Sequence, residues 1–144
     1  MLGSLLWNDP DPATFYFALI SAASATPTVD TNTVSDLTEI AAANGYTSGG
    51  VAYPRAAGAS ASNDEDDANN YATFTCQNVT ACQADGGTIP SSGLIRWGVI
   101  TTNEVTVADR QIIAVFELDG TGITVPDGKE LNISGHKIRI STPV

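Results

Sequence analysis

Two short runs constrain this chain more than any other feature. Residues 94–101 (LIRWGVIT) and 111–118 (QIIAVFEL) are rich in β-branched and aromatic side chains, and turn-forming residues separate them from their neighbours. Both read as strands. A third run, residues 14–20 (TFYFALI), lies between Pro12 and a Ser/Ala stretch and reads as a buried strand. Residues 50–55 form a further short extended stretch. From Tyr71 to Val79 the pattern alternates, with Ala72, Phe74 and Cys76 on one face and Tyr71, Thr73 and Thr75 on the other. That spacing predicts one half-buried strand. Residues 130–133 and 136–141 predict a closing hairpin around Ser134-Gly135, with Ile138 and Ile140 alternating against Lys137 and Arg139.

Asp85-Gly86-Gly87, the segment 119–122 and Asp127-Gly128 supply turns. Residues 56–70 are Ala, Gly, Ser, Asn and acids, and read as a surface loop. One short helix is expected from Thr33, a plausible N-cap with Asp36 three positions on. Val34, Leu37, Ile40 and Ala41 would share its buried face, and Asn44-Gly45 would end it. The expected architecture is mainly β: a β-sandwich or barrel-like domain of seven or eight short strands with one short helix.

The chain has 144 residues, enough for one domain that buries about two-thirds of its unfolded surface. That domain is expected to span 14–144. Residues 1–13 read as an extended N-terminal arm, because Pro10 and Pro12 oppose regular structure. The apolar tip of the arm, Leu2, Leu5, Leu6 and Trp7, either folds back on its own core or inserts into a neighbour.

Charged residues make up only 15% of the chain, against about 25% in ordinary soluble domains. The scarcity leaves much polar, uncharged surface free for contacts. Sixteen acids against six bases give a net charge of −10, which disfavours nucleic acid and anionic membrane surfaces as partners. The imbalance is concentrated early. Residues 1–75 carry nine acids and one base, Arg55, whereas 76–144 carry seven acids and five bases. Such a dipolar chain can orient on an oppositely charged surface, or can simply stay soluble. No stretch approaches the ~20 apolar residues of a membrane-spanning helix. The N-terminus lacks the positive region of a signal peptide and runs directly into Asn8-Asp9-Pro10-Asp11-Pro12, so synthesis in a cytoplasm is expected.

Nothing in the chain selects a catalytic centre. His136 is the single histidine, and no G-x-S-x-G, P-loop or H-E-x-x-H pattern occurs. The acidic run 63–67 suggests hard-cation ligation but lacks the order of an EF-hand loop, so a solvated loop is expected. Cys76 and Cys82 fit no strong zinc or redox spacing. They read as reduced core residues, with a disulfide across a hairpin as the alternative. Asn78-Val79-Thr80 and Asn132-Ile133-Ser134 match a glycosylation pattern in a chain without a secretory signal. No catalytic, cofactor-binding or metal-binding residue is assigned, and no enzyme activity is expected.

Several landmarks occur in a recognisable order. Trp7 precedes the strand ending Phe17-Ala18-Leu19-Ile20. Glu39 then precedes Gly45-Tyr46-Thr47-Ser48-Gly49-Gly50-Val51. Cys76-Gln77-Asn78-Val79-Thr80, Gly87-Thr88-Ile89 and Arg96-Trp97-Gly98-Val99-Ile100 follow. This order resembles a group of small virion proteins of tailed bacteriophages, in which an ALY/ALI strand, an E…GYTxGG segment and a DVTW…GGTI…ARYAVI segment succeed one another. The chain differs at Ala81-Cys82, where the group has Trp, at Asn78, where it has Asp, and at Trp97, where it more often has Tyr.

In physical terms Gly45, Gly49 and Gly50 permit tight turns. Tyr46 offers an apolar body with a polar tip suited to anchoring a loop on a sheet. Arg96, in an otherwise apolar strand, calls for an acid nearby. The resemblance implies a capsid decoration (cement) protein that binds the outer surface of the major capsid protein shell as a homo-oligomer, trimer or dimer. Its expected location is the virion, after synthesis in a host bacterial cytoplasm. A tail, neck or fibre-base protein is the alternative within the particle. A carbohydrate- or receptor-binding β-sandwich is the alternative of another class.

Overall fold

The run FYFALIS becomes β1 (Phe15–Ser21), and it lies inside a four-stranded antiparallel sheet. A computed structural model of the chain describes residues 15–53, 63–66, 71–75, 78–135 and 137–141, with the backbone alone for 63–66, 71–75 and 138–141. On one side β1 pairs with β2 (Val51–Tyr53) and on the other with β6 (Ile95–Thr101), which in turn pairs with β7 (Ile112–Glu117). Phe17 lies opposite Ile100, Leu19 opposite Gly98, and Ile20 opposite Trp97. The register then shifts, so that Ser21 faces Ile95 and Arg96 is the extra residue of a bulge.

Both faces of β1 and β6 are covered, which is why their sequences run apolar without strict alternation. Phe15, Phe17, Leu19, Ile95 and Ile100 join the larger core with Tyr53, Val79, Ala81, Ile89 and Val125. Ala18, Ile20, Trp97 and Val99 form a second cluster, against which Leu37 packs. Gly98 sits opposite Phe116, and Phe17 stacks on Phe116 with ring centroids 6.4 Å apart. A Cβ at Gly98 would overlap the Phe17 ring, so the glycine makes room for this aromatic pair.

Two smaller antiparallel sheets complete the described fold. β4 (Tyr71–Thr75) pairs with β9 (Lys137–Ser141), and β5 (Val79–Gln83) pairs with β8 (Glu130–Ile133). Thr75 faces Lys137 in the first, and Val79 faces Ile133 in the second. β3 (Asn63–Asp66) adds to the outside of β4. β5 packs across β1 and β2, bringing buried Val79, Ala81 and Cys82 onto the larger core. The mainly β, sandwich-like architecture expected from the sequence is the one observed, with nine strands among the described residues.

Four local expectations are corrected. The helix from Thr33 is a single 3-10 turn, Val34–Asp36, after which Leu37 is extended (φ −119°, ψ 164°). Its backbone is claimed by the sheet: Ser21 N–H donates to Thr38 O at 2.9 Å, and Ile40 N–H donates to Leu19 O at 3.1 Å. Residues 71–79 are not one strand, since β4 and β5 belong to different sheets. The closing hairpin does not form, because β8 and β9 each pair with an earlier strand. Alternation fixes which face of a strand is buried; it does not say which strand lies alongside. Finally, the supposed loop 56–70 contains β3.

A second 3-10 turn, Val107–Asp109, lies in the β6–β7 connection and packs on Val34–Asp36.

Candidate functional site

The most specific segment of the sequence, Glu39 with Gly45 to Gly50, folds into one hydrogen-bonded unit. Asn44 (φ 53°) and Gly45 (φ 96°) both adopt left-handed conformations. Tyr46 N–H donates to Ala43 O at 2.9 Å across them, the pattern of a type I′ turn. The left-handed glycine expected at position 45 is therefore present, but it makes a tight turn rather than a helix end. A second turn follows, in which Gly50 N–H donates to Thr47 O at 2.9 Å and Gly49 takes the positive φ of 83°. Gly50 must lack a side chain for a further reason: a Cβ there would overlap the Phe17 carbonyl.

These turns bring Tyr46 under β1. β2 covers β1 only from Phe15 to Phe17, so the next outward-facing backbone groups, on Leu19, need other partners. The Tyr46 hydroxyl accepts the Leu19 N–H at 3.0 Å, and Ile40 supplies the donor for the Leu19 carbonyl. The hydroxyl in turn donates to Glu39 Oε1 at 2.6 Å. Glu39 collects two more donors, the Gly49 N–H at 2.6 Å and the Ser48 hydroxyl at 3.0 Å. The result is a latch that finishes the edge of the sheet where β2 stops. Burial, together with the Glu39 carboxylate, holds the Tyr46 phenol far above its ordinary value of 10.0. The hydroxyl therefore stays protonated and acts as a donor.

Arg110 ties the latch to the β6–β7 connection. It is 8% exposed, donates through Nη1 to Gly49 O at 3.0 Å and through Nε to Glu104 O at 3.1 Å, and lies 3.9 Å from the centre of the Tyr16 ring. Carbonyl dipoles and an aromatic face thus surround this cation. Sequence reasoning did not single out Arg110. The only available signal was a base at the mouth of an apolar strand. Asn44 was read as a helix stop, although Asn-Gly is also the strongest short-range signal for a type I′ turn. Its side-chain amide donates to Thr88 O at 2.8 Å, joining the latch to the loop before Ile89.

The other singled-out residues are dispersed. Arg96 has the acid it called for, Glu117, at 2.9 Å, and its guanidinium lies 4.6 Å from the Trp97 ring centre. Cys82 is a buried free thiol, and burial pushes its pKa up. The arm residues Leu2, Leu5, Leu6 and Trp7, together with Cys76 and His136, lie outside the described residues. So do the side chains of 63–66, whose backbone forms β3. Among the described residues, no three His, Cys, Asp or Glu side chains converge as a metal site would require. No helix among them is long and apolar enough to cross a membrane. What the latch does chemically is to satisfy buried backbone groups and fix one loop. No protein-family model, curated protein or solved structure matches the chain.

Proposed function

We propose that this chain is a structural protein of a tailed-bacteriophage virion, and most concretely a decoration protein on the outer surface of the capsid. The observation that carries the reading is the latch. Glu39 and Gly45 to Gly50, the segment on which the resemblance to small virion proteins chiefly rests, act together to close a sheet edge. A segment that serves architecture suits a protein whose work is to hold its shape within an assembly. The aromatic side chains favour this reading over a sugar-binding sandwich. Among the described residues Phe15, Phe17, Tyr46, Tyr53 and Trp97 are buried and Tyr16 and Phe116 half-buried, whereas sugar stacking needs exposed rings. The strong net negative charge keeps such a protein off packaged DNA.

The decisive experiment is a copy-number measurement. Virions purified from the source are digested, and this chain is quantified against the major capsid protein by mass spectrometry. A ratio near one to one, or a simple fraction of it, is the expected result. A few per cent would move the chain to the tail or neck, and absence from the particle would sink the reading.

A further inference from the structure

The two edges of the β2-β1-β6-β7 sheet are finished differently. On the β1 side, β2, Tyr46 and residues 38–40 take up the outward backbone groups one after another. On the β7 side, contacts among the described residues cover the start alone: Ile112 N–H donates to Asn32 O at 2.8 Å, and Thr33 bridges to Gln111. Further along, Leu118 N–H donates inward to Arg96 O at 2.8 Å. Alternate residues of an antiparallel strand turn their N–H and C=O to opposite sides. Ala114, Phe116 and Leu118 therefore face β6, while Val115 and Glu117 present theirs outward. Among the described residues, nothing pairs with that outer edge.

Edge strands are ordinarily blunted by shortness, proline, lysine or a bulge. β2 is blunted by shortness, with three residues. β7 has six, reads IIAVFE, and carries no proline or lysine. Val115, in its middle, is 37% exposed. Its only charge, Glu117, is already matched by Arg96 at 2.9 Å. In a chain of net charge −10, two copies repel wherever acids meet acids. The β7 edge is a place where they can meet without that cost.

We propose that the outer edge of β7 is a self-association surface, on which two copies pair their β7 strands antiparallel about a two-fold axis and join two four-stranded sheets into one. An antiparallel pairing of identical strands is self-complementary, as a two-fold interface must be. Centred on Val115, it sets Val115 against its own copy and Ile113 against the partner's Glu117, so no carboxylate faces another. This inference does not depend on the virion reading, and its test uses the purified chain alone.

Sedimentation velocity over a wide concentration range should reveal a reversible dimer of the full chain. Hydrogen exchange at the Val115 and Glu117 amides should slow as concentration rises. Val115→Lys, which places a charge on the edge, should raise the dimer dissociation constant by at least about tenfold with an unchanged melting temperature. Val115→Pro, which removes an outward N–H and no bond to β6, should act in the same direction and guards against a lysine-specific effect. A chain that stays monomeric throughout, or a dimer that survives both substitutions in folded protein, overturns the proposal. So does a dimer lost on deleting residues 1–12, because the arm would then be what holds the copies together.

Discussion

Tyr46 shows how one hydroxyl can stand in for a strand. Tyr46→Phe keeps the ring but strands the Leu19 N–H and removes a donor from Glu39. Leaving one buried donor unmet costs about 1–3 kcal/mol, which urea denaturation at neutral pH would register as a lower midpoint with an unchanged slope. The pH dependence carries the same signature. A phenol raised in the folded state contributes stability that is complete below its ordinary value of 10.0 and is lost as pH rises above it. Stability of the parent protein should therefore fall steeply on the alkaline side, and less steeply in Tyr46→Phe. Gly50 allows steric clash to be separated from backbone strain. Gly50 and Gly128 share a φ of 73°, but a Cβ at Gly128 meets open space whereas one at Gly50 overlaps the Phe17 carbonyl. Both Ala variants should lose the ~1–2 kcal/mol of a left-handed non-glycine residue. Gly50→Ala should lose clearly more, as the difference between the two melting temperatures would report.

At the level of elements, Gly98→Val is the substitution most damaging to the central strand pair. Valine is a good strand former, so propensity alone would favour it. The Phe17 ring occupies its space, and overpacking of about 1–3 kcal/mol or more should dominate. Thermal unfolding of the variant decides between propensity and packing. The same contest explains what the sequence made legible. β1, β6 and β7 were readable because burial on one or both faces writes itself directly into composition, as in FYFALIS, IRWGVIT and IIAVFE. The helix at Thr33 was not, because Thr38 and Ile40 spend their backbone groups on β1, on partners 17 and 21 positions earlier. The pairings of β4 with β9 and of β5 with β8 were also hidden: Ser134-Gly135 looks like a hairpin turn, yet the strands beside it pair with residues 47 to 70 positions earlier. Within the latch, the importance of Gly45, Tyr46, Gly49 and Gly50 was visible. The role of Arg110, which works through carbonyls and a ring, was not.

For the molecule as a whole, the proposed place on a capsid gives the N-terminal arm, residues 1–13, a specific task. If the arm inserts into a capsid neighbour, as the proposed decoration role asks, deleting residues 1–12 should leave the domain folded and weaken attachment to capsids through loss of Leu2, Leu5, Leu6 and Trp7, each worth roughly 1.5–3 kcal/mol on full burial. A co-sedimentation assay with purified capsids tests this, and undiminished attachment would count against the arm. The order in which the strands pair has a further consequence, during synthesis. Ile20 of β1 pairs with Trp97 of β6, 77 positions later. A ribosome adding ~5–20 residues per second needs about 4–15 s to cover that distance. Throughout that interval a strand with five of its seven residues destined for burial has left the ribosome, or is leaving it, without its principal partner. Production in a heterologous host should therefore depend on chaperone supply and growth temperature more than the stability of the finished fold would suggest.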